Sequence, residues 1–222
     1  MKQEDGPLGH LVGQMIRRTL RARFRAGYLA GPLPSAQGSP VIFVANHHGW
    51  HDGYVMFALI THLGIVASDW VAELAEFPLF AKIGALPFPP GDEKTRFATI
   101  RTTVRQMNEG RSLILFAEGT LHRPPEVWPL GSALEFLIRK VPGVRVVPVA
   151  LHYDMSIHER PEVFVELADE VVSPSAEDVR STLVELLKSA PGRIEDSNRW
   201  DVLFEGTKDV NERWGMKSRK KR

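Results

Sequence analysis

Short apolar runs alternate with longer stretches of helical period along most of the chain. Residues 41–45, "VIFVA", read as a strand, and 52–63, "DGYVMFALITHL", as a helix. "GIVAS" at 64–68 reads as a further strand, and "WVAELAEFPLFAKI" at 70–83 has helical spacing. A short strand follows at 85–88. The segment 92–110 has acids in its first turn and closes on Gly110, the signature of an amphipathic helix. Strands are then predicted at 112–117, 144–151 and 162–169, with helices at 132–141 and 176–190 and a helical C-terminus. Such alternation predicts an α/β fold with a mostly parallel central sheet flanked by helices. In a sheet of that kind the ligand site lies beyond the carboxyl ends of the strands.

Ahead of this pattern, residues 10–29 read as one amphipathic helix. Leu11, Met15, Ile16 and Leu20 fall at helical spacing, with arginines on the other sides. A Pro/Gly/Ser stretch at 30–40 then reads as a linker. The expected organisation is an N-terminal amphipathic helical element with its linker (1–40), an α/β domain (41–215) and a basic tail (216–222).

Composition narrows the chemistry. The chain of 222 residues has no cysteine, which removes disulfides, thiolate–zinc sites and thiol nucleophiles. The net charge of +1 conceals an uneven distribution. Between Leu8 and Ala30 there is no acid, yet Arg17, Arg18, Arg21, Arg23 and Arg25 all occur, and the C-terminal "RWGMKSRKKR" is again basic. Basic ends suit a polyanionic surface, membrane or nucleic acid. The interior lacks interleaved basic and aromatic residues, so no nucleic acid is expected. No secretory signal stands out at the N-terminus, and the longest apolar run is interrupted by Thr61, His62 and Gly64. The expectation is therefore a cytoplasmic protein lying on the inner face of the membrane through its basic helix, not spanning it.

The densest candidate chemistry follows the first strand of the domain, in "VIFVANHHGWHDG" at 41–53. On a continuous helix His47 and Asp52 would be about 140° apart and would diverge. With His47 in the loop and Asp52 in the first helical turn, they can face each other, and Gly49 and Gly53 let the chain bend. A carboxylate on one ring nitrogen sets the tautomer and raises the basicity of the other, which makes His47 a general base oriented by Asp52. No Gly-x-Ser-x-Gly elbow occurs, so the base would act on a hydroxyl brought by a substrate. A metal reading would use His47, His48, His51 and Asp52, and a packing reading needs no chemistry at all. A second strand end carries Glu118, Gly119 and Thr120, and a third has Pro148 inside a strand-like run, where a bulge or an edge strand is expected. Phe77, Pro78, Leu79, Phe80 and Ile83 form either an acyl groove or plain core.

Together these pieces resemble the glycerolipid acyltransferase superfamily, typified by 1-acylglycerol-3-phosphate acyltransferases. "NHHGWHD" is similar to its Asn-His-x4-Asp motif, "FAEGT" at 116–120 to its Phe-Pro-Glu-Gly-Thr block and "VVPVAL" to its Val-Pro-Val block, in order from about residue 41 to 151. The resemblance implies transfer of an acyl group from acyl-CoA or acyl-carrier protein to a lipid hydroxyl, with no further cofactor and no metal. His47 would be the base and Asp52 its orienter; Asn46, Glu118, Gly119 and Thr120 would help place the substrate. The family's Gly-x-x-Phe-x-x-Arg block departs here: counted from Gly84, the phosphate-holding Arg falls on Pro90 or, slid by one, on Gly91. Ala117 stands for the Pro of the third block and Leu121 for the Arg after its Thr. Arg96 and Arg123 are the candidates to substitute, since guanidinium forks suit phosphate. A non-catalytic lipid- or nucleic-acid-binding protein on the same scaffold, and a metal-dependent hydrolase, are the alternatives.

Overall fold

The structure, a computed structural model, describes residues 3–35 and 39–214. The basic tail at 216–222 and its expected role therefore lie outside the described residues. Among the described residues nine strands form one sheet in the order β4-β3-β5-β2-β6-β7-β1-β9, with β8 paired to β6. The strands are β1 (Ala26–Ala30), β2 (Val41–Ala45), β3 (Ala67–Val71), β4 (Ala85–Pro87), β5 (Ser112–Leu115), β6 (Arg145–Asp154), β7 (Glu162–Leu167), β8 (Val171–Val172) and β9 (Asp201–Glu205). The run β4-β3-β5-β2-β6 is parallel throughout, whereas β7 opposes β6 and β9 opposes β1. This is the expected α/β architecture with a mostly parallel sheet.

The all-apolar composition of β2 follows from its position. Val41 to Ala45 are buried on both faces, as a central parallel strand requires. On one face Phe43 and Ile114 pack with α1 (Gly6–Arg23) and α2 (Asp52–His62). On the other, Val44 and Leu115 pack with α3 (Glu93–Asn108), α4 (Ser132–Lys140) and α5 (Ala176–Ile194). Asp92 caps α3 by accepting from the Thr95 amide, and Ser175 with Asp178 forms a capping box on α5.

Several elements differ from the sequence reading, each for a tertiary reason. The N-terminal helix stops at Arg23, and Ala26–Ala30 joins the sheet as β1 beside β7. The segment before residue 40 thus contributes a strand as well as a helix and linker. The second strand of the domain falls at 67–71 rather than 64–68, and the helical spacing after it yields only turns and a 3-10 segment, Pro78–Ile83. The C-terminal region forms β9 and a four-residue helix, α6 (Val210–Arg213). The sequence reading also has no counterpart of the two-residue β8; the longer unpredicted strands, β1 and β9, pair with each other at the sheet end, where only a partner chain segment specifies extended structure.

Pro148 sits inside the sheet, not on an edge strand. It registers with Val44 of β2, and its carbonyl accepts from the Ala168 amide on the other side. Its missing donor faces the turn between β7 and β8, where the ladder is already interrupted.

α1 packs on the domain through Val12, Ile16 and Leu20, leaving Leu8, Leu11 and Met15 exposed. Gly9 permits the close approach: a Cβ there would lie 2.9 Å from the Lys82 carbonyl oxygen.

Candidate active site

The loop from β2 to α2, the loop after β5 and the end of β6 meet at the carboxyl edge of the parallel strands. Asp52 is the first residue of α2 and fully buried. Its Oδ2 accepts from the Gly49 amide at 2.8 Å and pairs with His47 Nδ1 at 2.9 Å. Its Oδ1 accepts from the Tyr153 hydroxyl. Three donors and the helix N-terminus thus converge on this one buried side chain. Facing that acceptor, Nδ1 carries the His47 proton, and Nε2 keeps its lone pair. Among the described residues Nε2 has no hydrogen-bond partner. The ring stacks on Phe116 with centroids 4.4 Å apart.

Tyr153 lies beyond the strand that the sequence predicts at 144–151. The strand continues to Asp154, and period-two alternation puts Val149, Leu151 and Tyr153 on one face. Burial and the Asp52 carboxylate push the Tyr153 phenol well up, so it stays a donor. Gly49 makes the contact possible: a Cβ there would lie 2.6 Å from the Tyr153 ring.

Asn46 is fully buried. It donates to the Leu151 carbonyl at 3.1 Å and accepts from the Leu151 amide at 2.8 Å, extending the β2–β6 ladder by one rung made of side chain. Glu118 is likewise enclosed. It accepts from the His47 amide at 2.8 Å, from the Trp128 amide at 2.6 Å, and pairs with His122 Nε2 at 2.6 Å. These two residues, expected at the substrate, place the loop that carries His47. Gly119 and Thr120 are exposed on the rim, and Gly119 turns the chain at φ +74. The two arginines are not drawn into the His47 cluster. Arg96 is exposed and lies over the Phe88 ring at 4.5 Å, and Arg123 is exposed beyond His122.

The metal reading's quartet of His47, His48, His51 and Asp52 does not form a ligand group among the described residues. The group that converges is His48, Glu118 and His122. Its atoms are already engaged: His48 Nδ1 faces the Asn46 amide nitrogen and Nε2 the Glu126 carbonyl, while His122 is bound to Glu118. His51 packs edge-on against Phe24, and burial with the nearby Arg23 charge lowers its pKa.

A mostly apolar cavity of about 1070 Å³ opens beside Gly49 and His48. Val127 and Trp128 on one side and Val184 and Leu187 of α5 on the other enclose it. Of the five residues read as groove or core, Ile83 is core, Phe80 packs against it, and Phe77 and Leu79 are exposed.

The Acyltransferase family model matches residues 28–152, more than half of the chain. The lyso-ornithine lipid O-acyltransferase of Brucella abortus (strain 2308) is 30% identical over 126 residues, 53% of this chain and 46% of that protein. The match thus spans less than half the length of that curated relative. The crystal structure of a 1-acyl-sn-glycerophosphate acyltransferase, PlsC, from Thermotoga maritima superposes with a TM-score of 0.57 at 20% identity, covering 86% of this chain and 80% of that one. That likeness shows a shared fold. The matched region begins in β1, runs through the His47, Glu118 and Pro148 blocks and ends in β6, and the chain belongs to the acyltransferase family.

Proposed function

We propose that the chain is an O-acyltransferase that moves a fatty acyl group from acyl-CoA or acyl-carrier protein to the hydroxyl of a lysophospholipid or related lipid. One observation carries this reading: a histidine in an acyltransferase-family chain is held at Nδ1 by a buried carboxylate, with Nε2 left open. His47 Nε2 takes the proton of the acceptor hydroxyl. The acceptor oxygen forms an ester bond to the thioester carbonyl carbon, the C–S bond breaks, and the thiolate leaves with the proton from His47. Asp52 supports the imidazolium between these steps, and Tyr153 holds Asp52. Asn46 and Glu118 position the loop, while Gly119, Thr120 and Arg123 are the rim residues open to the acceptor. The cavity beside Gly49 accepts an acyl chain, which an apolar lining suits. The relatives' names offer two acceptor chemistries, a glycerophosphate and an ornithine lipid.

The acceptor's location sets the protein's own. No helix among the described residues is long and apolar enough to cross a membrane. Leu8, Leu11 and Met15 of α1, with Phe77, Leu79 and Trp50, form an exposed apolar surface beside exposed Arg18, Arg21 and Arg23. The rings of Trp50, Tyr54, Phe80 and Phe77 lie in sequence, with neighbouring centroids 5.7, 6.0 and 6.0 Å apart. This surface rests on the cytoplasmic face of the membrane, where apolar side chains enter the interface and arginines meet anionic lipid. Arg25 takes no part, because it is paired with Glu162 and Glu212.

The test is thiol release from acyl-CoA, or from acyl-carrier protein, on liposomes, comparing wild type with His47→Ala across several lysolipids. Acceptor-dependent release that vanishes in the variant is the expected result. Wild-type turnover in His47→Ala, or no release from either donor, would sink the mechanism.

A further inference from the structure

The cavity beside Gly49 carries a histidine that the fold leaves unused. His152 lines it near the end of β6, next to Tyr153. Strand alternation turns the two side chains to opposite faces. Tyr153 meets Asp52, whereas His152 shares the face of Val144 and Val146, which pack with Val179 and Leu183 of α5. The ring therefore reaches the cavity on the α5 side, where Val184 and Leu187 also line it.

The other polar groups on the wall are committed or exposed. Tyr153 is bound to Asp52, both ring nitrogens of His48 are engaged, and Arg180 holds the Val127 carbonyl and Glu177. His51 packs edge-on against Phe24 and Trp50, and Glu126 and Lys188 are exposed. His152 is half-buried and makes no hydrogen bond or ion pair with any described residue. Burial lowers its pKa against a smaller opposing effect of Asp154, so the ring is neutral at pH 7.

Water can serve that ring, but an acyl chain that fills the cavity drives the water out. A plain hydrocarbon chain offers nothing in exchange, and stranding a polar group is costly. A neutral imidazole has one donor and one acceptor, and a hydroxyl matches it with both. A carboxylate or phosphate on the chain only accepts, and it would bring a charge into a mostly apolar cavity.

We infer that His152 is a donor-binding residue that selects acyl chains carrying a hydroxyl group. This rests on the acyltransferase reading above and on the cavity holding the acyl chain. The hydroxyl bonds the His152 ring, and the apolar walls take the rest of the chain. A site of this kind discriminates by rejecting the plain chain, which leaves the ring unpaired.

The experiment compares three hexadecanoyl donors, each as the CoA and the acyl-carrier-protein thioester: the plain chain, its β-hydroxy form, and a form hydroxylated near mid-chain. Lysophosphatidic acid and an ornithine lysolipid serve as acceptors. Wild type is expected to use one of the hydroxy donors with kcat/KM about tenfold or more above the plain chain. His152→Leu should bring that ratio to one or below, with the plain chain used better than by wild type. His152→Gln, which keeps a donor and an acceptor, should retain part of the preference. Thermal unfolding of both variants reports their folding. Equal use of the three donors, a preference for the plain chain, or a hydroxy preference unchanged in folded His152→Leu overturns the role of His152 and leaves the acyltransferase reading standing. A uniform loss on all three donors in folded His152→Leu also overturns it, since the ring would then serve the shared carrier arm or the packing. No transfer from any donor to either acceptor overturns the acyltransferase reading and the inference with it.

Discussion

Two histidine–carboxylate pairs stand on adjoining loops of this protein. His47 pairs with Asp52 at 2.9 Å and His122 with Glu118 at 2.6 Å. The His122 amide also donates to the His47 carbonyl, so the two loops are tied together. By residue type they are equivalent; by environment they are not. The His47 side chain keeps 24% of its exposure and His122 only 6%. His47 spends Nδ1 and leaves Nε2 open, whereas His122 has Glu118 at Nε2, the Arg123 carbonyl at Nδ1 and the Trp128 ring stacked on it at 4.1 Å. A base needs a lone pair that a substrate can reach. The comparison shows that a histidine–carboxylate pair is chemistry or mortar according to what its second nitrogen meets.

The largest expected effect separates the two pairs by activity. His47→Ala should cut turnover by about 10⁴-fold, the upper range for a positioned base. Its midpoint of thermal unfolding should move by no more than about 3 °C, the shift that roughly 1 kcal/mol produces in a domain of this size. Equal loss of activity and stability would make His47 a packing residue. The reverse pattern belongs to Glu118→Ala, which strips a partner from two backbone amides and from an enclosed imidazole. A cost of roughly 3–5 kcal/mol is expected, as for breaking buried charged pairs, and urea titration reads it directly.

Asp69 extends the comparison to a carboxylate with no histidine bonded to it. Its pKa is raised to about 7, chiefly by burial, so the folded state keeps a proton that the unfolded chain has lost. Its contribution to stability therefore falls as pH rises from the ordinary carboxylate value through about 7. Asp69→Asn should gain stability relative to wild type as pH goes from about 5 to about 8, by on the order of 2 kcal/mol. The difference between the two proteins is the quantity to follow, because His51 and His152, with pKa values lowered mainly by burial, bend both curves the other way. A constant difference across that range would show that Asp69 is hydrated and ionised throughout. The smallest effect is expected for Tyr153→Phe, which removes one of the donors on Asp52. A loss of about 1 kcal/mol, or roughly fivefold in turnover, should appear in kcat with little change in KM. An unchanged kcat would mean that Gly49 and His47 alone hold Asp52 in place.

The helices with caps and amphipathic period, α3 and α5, and the apolar strands β2, β5 and β7 were legible along the chain, because their signals are local. β1 and β9 were not. "AGYLA" at 26–30 continues a helical pattern in sequence, and only pairing with β7 and β9 makes it a strand. His47 and Asp52 could be matched because a five-residue loop closes on itself. Tyr153 lies 101 residues from Asp52, and no spacing rule reaches it.

Residue order alone settled the chemical types and the local arcs: an imidazole and a carboxylate across a loop, apolar runs too regular for anything but a buried sheet, and a basic N-terminal helix. Which carboxylate is satisfied, which imidazole is open and which arginines are spent depended on contacts between distant segments. Asn46 and Glu118 carry side chains suited to substrate, and in the fold they also make the β2–β6 rung and the clasp on His47, His122 and Trp128. Hydrogen-bonding capacity is finite, and burial makes every unmet group costly. The folded chain therefore commits most of its polar groups to one another, and a partly exposed lone pair that it leaves open, His47 Nε2, is what a substrate can use.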